Sequence, residues 1–307
     1  MPNIWTHIHF GETLLRKTGK IPYPEEVKPY FRLGTQGPDP FFYHNFWPWK
    51  TKTVAEIGNK IHHEQCGPFL LEMIRYGKQY KGDEKLKAYI LGFITHHLLD
   101  RNTHPYIIYR SGNEGKRHSK LEIIIDTLLM KEFRGMDTWK TPVYKEIYIG
   151  QELYPPITEM LSKLITYFFP ETARQMPRGY VSDSYRHMIC AWKILYDPTG
   201  IKHLLLREWV SPFSHHKNVG EKDYLNRSRT PWLHPANDHE RSSATFFDLL
   251  SQAEQEGLII LPLILEYWED EREGYPEPLI EAIGNRSYDT GKDCTLPLQN
   301  RHFDPIL

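Results

Sequence analysis

Cysteine is scarce in this chain. Cys66, Cys190 and Cys294 are the only three in 307 residues. They are odd in number, widely spaced and without a Cys-x-x-Cys, so they make neither a disulfide framework nor a cysteine-ligated zinc site. A reducing cytoplasm is the compartment this usage implies. Long apolar runs are missing as well. The longest, Gly257 to Leu265, falls far short of the roughly 20 residues a membrane helix needs. The opening Met-Pro-Asn-Ile-Trp-Thr-His has no basic region and no apolar run, so no secretory signal is expected. Neither sign of charge is in excess: the formal net charge is -1, which gives no global field for nucleic acid or anionic lipid. Repeats, low-complexity tracts and linkers are absent too. The simplest organisation is one helical domain over residues 1–307. Its first 135 residues carry the chemistry, and residues 136–307 add helices and a C-terminal tail.

Histidine is what the chain has in quantity, 16 residues, and more than half of them precede Ser119. Two patterns stand out. His96 precedes Asp100 by four residues, with His104-Pro105 just beyond, and His118 precedes Glu122 by four. On a helix, residues i and i+4 share one face, so each pair presents an imidazole and a carboxylate side by side. A hydrogen-bonded pair is the bland alternative. The neighbours, however, are apolar: Ala88 to Thr95 before the first pair, Ile123 to Leu129 after the second. Imidazole and carboxylate groups buried without compensation are costly. Nitrogen and oxygen ligands of this kind suit zinc, and two pairs so close together point to more than one ion.

Other candidates fall into place along the chain. A helix is predicted from Trp5 to Leu15, capped by Asn3 or Thr6, with His7 and His9 on different sides. Arg32 to Phe42 reads as a rigid, non-helical turn. It holds Asp39 between two prolines, either as a bridging metal ligand or as a turn cap. Phe41 to Lys50 gathers six aromatics around His44. Phe42, His44 and Trp47 are candidates for a substrate wall, the alternative being a loop that covers the core. A long helix is predicted from Thr53 to Gln79, kinked or restarted at Gly67-Pro68. On it His62 is favoured over His63 because it shares a strip with Gly58 and Cys66. Asp83 should cap a helix from Glu84 to about Arg101, with Gly92 leaving space for a cation or water one turn before His96. His97, rotated by one position, falls to packing or to contacts that support the ligands. His104, preceding a proline, is expected on the turn after the helix. Ser111 to Arg117 reads as a loop and His118 to Arg134 as a helix. Asp126 continues its ligand strip and is expected to accept an imidazole N–H from a ligand.

The second half carries less. Tyr154 to Phe169, Tyr180 to Tyr196 and Ser242 to Tyr267 have helical periodicity, and Leu258 to Tyr267 is apolar enough to be buried. His215-His216 reads as part of a solvated loop. Trp232 to Glu240, with His234 and Asp238, also reads as a loop, and Tyr275 to Leu307 as an extended surface tail.

Taken together, the elements of the first half resemble the bacterial zinc-dependent phospholipase C family, which includes secreted phospholipases of bacilli and the clostridial alpha-toxin. The shared order is His7, Pro38-Asp39, His62, His96 with Asp100, His104, and His118 with Glu122. The resemblance implies an all-α bundle around a multi-metal cleft. It implies one zinc held by Asp39, His62, His96 and Asp100, and a second by His104, His118 and Glu122. A third would lie on His7, sharing Asp100. It further implies phosphodiester hydrolysis of a small-molecule or lipid phosphoester by metal-activated water, with Asp39 as general base or bridging ligand. Two departures are visible. The secreted enzymes begin at a tryptophan that helps bind the third zinc, whereas Trp5 is internal here, so two or three ions remain open. His104 also follows Asp100 sooner than in those enzymes, and His44 is an alternative to His62. A non-catalytic, metal-stabilised binding or sensing protein is the competing reading. A di-iron bundle is disfavoured, because no Glu-x-x-His motif occurs in the metal-bearing stretch.

Overall fold

The 28-residue helix Glu84–Ser111 is buried along most of its length, polar residues included, as expected of a helix at the centre of a core. Asp83 caps it by accepting the Leu86 N–H at 3.0 Å. The computed structural model describes residues 3–19, 23–47, 49–112, 114–206 and 210–307. Among these the helices are α1 Ile4–Thr18, α2 Lys28–Gly34, α3 Ala55–His63, α4 Cys66–Gln79, α5 Glu84–Ser111, α6 Gly115–Arg134, α7 Pro155–Phe168, α8 Pro170–Ala173, α9 Tyr180–Leu195, α10 Ile201–Leu205, α11 Phe246–Glu269 and α12 Glu277–Ile283. The only sheet among the described residues is an antiparallel hairpin of β1 Trp232–His234 and β2 Asn237–Ser242. The fold is all-α, and its apolar core runs from Ile4 to Tyr288. No described helix is long and apolar enough to cross a membrane.

Helices α1, α2, α4, α6, α7 and α11 all contact α5. The closest approach is that of α2, where two glycines let backbone meet backbone. A Cβ on Gly34 would run into the Tyr89 carbonyl, and one on Gly92 into the Phe31 carbonyl. Gly92 therefore makes room for α2, not for a cation or water as its spacing suggested.

Helix α5 also continues past the expected stop at Arg101. Pro105 sits inside it. A proline removes one helical hydrogen bond, that to the Arg101 carbonyl, at a cost of about 3 kcal/mol in an isolated helix. Here burial of Tyr106 and Ile107 at about 25 cal/mol per Å² of apolar surface offsets it.

Several boundaries differ from the sequence reading. The turn at Arg32 to Phe42 is largely helical: Arg32 to Gly34 close α2, and Asp39–Tyr43 form a 3-10 helix. Of the kink or restart expected in the Thr53 to Gln79 helix, it is the restart that occurs, giving two helices. They break at Gln65, whose φ of 51° is left-handed, so that Pro68 falls in the first turn of α4, where no helical donor is lost. Helix α6 begins one turn early, at Gly115. Asn3 makes no side-chain cap on α1. Instead Asp126, from α6, accepts the N–H groups of Trp5 at 3.2 Å and Thr6 at 2.7 Å. Trp232 to Glu240 is a hairpin, not a loop. In the C-terminal tail α12 is followed by a tight turn that buries Tyr288 completely. Only the last residues run extended, bonded to the Tyr109 and Arg110 carbonyls.

Gly92→Ala separates two effects of opposite sign. Alanine gains about 1 kcal/mol of helix propensity but intrudes on the α2 backbone, an overpacking that typically costs ~1–3 kcal/mol or more. A net loss of about 2 kcal/mol is expected, read as a lower urea midpoint. An equal or higher midpoint would mean that α2 is not seated on α5.

Candidate metal centre

Because α5 runs through Pro105, His96, Asp100 and His104 stand on one strip, one turn apart. His96 Nε2 lies 3.1 Å from Asp100 Oδ2. From α1, His7 Nε2 reaches Asp100 Oδ1 at 3.3 Å, and its ring stacks on His96 with centroids 4.2 Å apart. The 3-10 helix contributes Asp39, whose Oδ1 is 3.8 Å from His96 Nε2 and 3.6 Å from His62 Nε2 on α3. On α6, His118 Nε2 is 2.7 Å from Glu122 Oε1, which in turn is 3.9 Å from His104 Nε2. Three groups result: His7, His96 and Asp100; Asp39, His62 and His96; His104, His118 and Glu122. Within each, the ligand atoms all lie within 4.8 Å of one another.

The outward nitrogens of three of these rings are engaged, whereas His7 Nδ1 is buried without a hydrogen bond among the described residues. His62 Nδ1–H donates to the Gly58 carbonyl at 2.7 Å, His96 Nδ1–H to the Thr35 carbonyl at 3.0 Å, and His104 Nδ1–H to Asp289 at 3.0 Å. That fixes the tautomer whose Nε2 lone pair faces inward, the arrangement of a ligating imidazole. The inward atoms are in the opposite condition. His7 Nε2, Asp39 Oδ1, His96 Nε2, both Asp100 oxygens and His104 Nε2 are buried without a hydrogen bond among the described residues. A buried polar atom left unpaired costs about 1–3 kcal/mol, more if charged. Six of them converging on one region is a donor set that a cation compensates, and its nitrogen and oxygen composition fits zinc.

The electrostatics agree. Burial lowers the His7 pKa to about 4, so the ring is neutral at ordinary pH. Burial likewise holds His104 below, and His118 well below, the usual imidazole range. Burial opposes the charge on Asp100, but His96, His104 and His7 outweigh it and hold the carboxyl well below its usual range. At His96 burial is outweighed by Asp100 and Asp39, and its pKa is raised.

The sequence model of the zinc-dependent phospholipase C family matches residues 6–171, just over half of the chain. The chain belongs to this family. All eight candidate ligands lie inside the matched region; the family is zinc-dependent, and membership supports a phosphodiester hydrolase function. No curated protein and no solved structure gives a significant match.

Of the remaining candidates in this phospholipase C-like centre, Phe42 lies beside it. Its ring centroid is 5.3 Å from that of His62, and it covers Gly58. His44 does not join the cluster. It turns to His187, 5.1 Å away. Trp47 is 39% exposed and stacks with Phe46 and Trp49. The three residues expected to form one wall are thus divided among three settings. His63 points away from the centre toward Asp289, at 2.6 Å. His9 stacks on Phe133. His97 donates to the Arg286 carbonyl and meets the Tyr288 ring edge-on. Asp126 does accept an imidazole N–H, but from His215, at 2.9 Å, rather than from a ligand. His215 is accordingly buried, not solvated. His234 donates to the Thr290 carbonyl.

Thr35, Ser287, Tyr288 and Asp289 were not legible as site residues. Thr35 acts through its backbone, and the other three lie in a polar stretch nearly 170 residues downstream of Glu122.

Protons compete with a cation for these imidazoles. With its raised pKa, His96 takes up a proton first as pH falls, whereas His7 stays neutral to about pH 4. Apparent zinc affinity should therefore fall with decreasing pH. The ions that share His96 should be lost before the one on His104, His118 and Glu122, in chelator competition between pH 8 and 5. A pH-independent affinity, or the reverse order of loss, would contradict the arrangement.

Proposed function

We propose that the chain hydrolyses phosphodiesters of phospholipid or phosphorylated small-molecule type, with zinc held by His7, Asp39, His62, His96, Asp100, His104, His118 and Glu122. The observation that carries this reading is the convergence of buried, unpaired ligand atoms on α5 within the family-matched segment. Zinc bound there supplies positive charge for the phosphate and acidifies water.

The chain's own groups do the rest. Asp39, 14% exposed, is held on a short 3-10 helix between two prolines, so its carboxylate has little freedom to turn away. One oxygen faces His62 and His96, and in this reading the other takes the proton of the attacking water as general base. Neutral His7 and His104 offer lone pairs and do not repel a cation. Phe42 excludes solvent beside His62, while His44, turned to His187, and Trp47, stacked with Phe46 and Trp49, take no part in that wall. The chain's near-neutral charge leaves substrate recognition to this local site and gives nucleic acid no long-range attraction.

The deciding experiment is hydrolysis of a chromogenic aryl phosphodiester and of phospholipid vesicles by zinc-loaded protein, beside Asp39→Asn and a phosphomonoester control. Diester cleavage that is abolished by chelator and reduced about a hundredfold or more in Asp39→Asn is the expected result. A fully metallated protein inert toward every diester would leave a metal-stabilised, non-catalytic protein as the better account.

A further inference from the structure

The turn after α12 touches the metal centre, although it lies far outside residues 6–171. Asp289 divides its carboxylate between two imidazoles. Oδ1 accepts from His104 Nδ1 at 3.0 Å, and Oδ2 accepts from His63 Nε2 at 2.6 Å. The other nitrogen of His63 donates to the Asn59 carbonyl at 2.7 Å. Both His63 nitrogens therefore face acceptors, and an imidazolium satisfies both.

The carboxylate is held where it stands. The Tyr288 N–H and the Ser287 hydroxyl both donate to the His62 carbonyl, at 3.0 and 3.1 Å. The Asp289 N–H donates to Ser287 Oγ at 3.2 Å. Gly291, with φ of +62°, lies flush against the Arg101 carbonyl, where a Cβ would collide. That is the carbonyl which Pro105 deprives of its helical donor. Beyond it, Cys294 Sγ meets Cys66 Sγ at 3.3 Å. The Tyr288 ring fills the space behind His62, His96 and His97, at 4.8, 5.9 and 4.5 Å between centroids.

We propose that Asp289 is a positioning residue of the metal centre: it fixes His104 with Nδ1 protonated and Nε2 inward, and ties that ring through His63 to the helix that carries His62. The proposal rests on the reading of His104 as a ligand. An imidazole without such a partner divides between two tautomers and several ring orientations, and loss of a comparable carboxylate costs about 10–100-fold in metal affinity.

Asp289→Asn is the direct test, since it keeps the shape but has one acceptor oxygen for two imidazoles. Zinc affinity is measured on the full chain by chelator competition, and ligation is read from the d–d absorption of the cobalt(II)-substituted protein. The expected result is one ion bound about 10–100-fold more weakly, an altered cobalt band for that ion alone, and an unchanged melting temperature of the metal-free protein. His104→Ala should lose the same ion altogether. If His104→Ala loses an ion while Asp289→Asn matches wild type, the positioning role is overturned and the ligand assignment stands. If His104→Ala keeps the full metal complement, the ligand assignment itself fails, and the positioning role with it. A variant that does not fold leaves a second reading on the wild type. In histidine-selective 15N NMR of the zinc-loaded chain, His104 should carry its proton on Nδ1, and a proton on Nε2 would overturn the proposal.

Discussion

The structure turns on one constraint: three carboxylates and five imidazoles have to be accommodated in and around a helix buried on all sides. Asp100 is fully buried, with neither oxygen hydrogen-bonded among the described residues. A charge in that position is tolerable only among groups that hold it. His7, His96 and His104 approach from different directions, and the ionised form wins over burial. Much of the surrounding architecture can be understood as the means of bringing those groups to α5 while satisfying their outer edges.

Asp126 shows how that is done across a distance. It stands on α6 one turn beyond Glu122, yet it supplies the acceptor that opens α1 and holds His215. The start of α1 is thereby fixed relative to α6, and His7 comes to Asp100 as part of the same unit. Glycine does the corresponding work on the other side. Gly34 and Gly92 let α2 settle onto α5, which carries the Thr35 carbonyl to His96 Nδ1 and the following turn to Asp39. Gly37, in a left-handed conformation, lies so close to the His96 ring that any side chain there would displace it. Helix packing brings the ligands together, and the turns at Thr35 to Gly37 and at Asp289 hold the His96 and His104 rings.

The turn bearing Asp289 extends this logic beyond the family-matched segment. The matched residues supply every inward ligand atom, whereas one outer contact, that to His104, comes from the C-terminal part of the chain. The same turn covers His62, His96 and His97 with Tyr288. The second half of the chain thus contributes to the centre as well as to the core, though it contains no motif that announces this.

Sequence alone determined the helical class and the ligand strips, because spacing of four residues and apolar flanks are local properties that any helix translates into one face. Asp83 as a cap, His62 rather than His63 facing the cluster, and the pairing of His96 with Asp100 and of His118 with Glu122 all follow from that periodicity. What only the tertiary structure decided were matters in which a distant surface outweighed a local preference. Pro105 and the residue before it favour a helix end, yet burial of the following turn kept α5 intact and put His104 in line. Gly92 reads as open space, but another helix occupies it. Asn3 is a good cap by type, and Asp126 displaced it. His215 and Asp289 lie in polar segments that read as solvated, and each is fixed by a partner 89 or 185 residues away. No local pattern encodes contacts of that separation, since they come into being only when the helices pack.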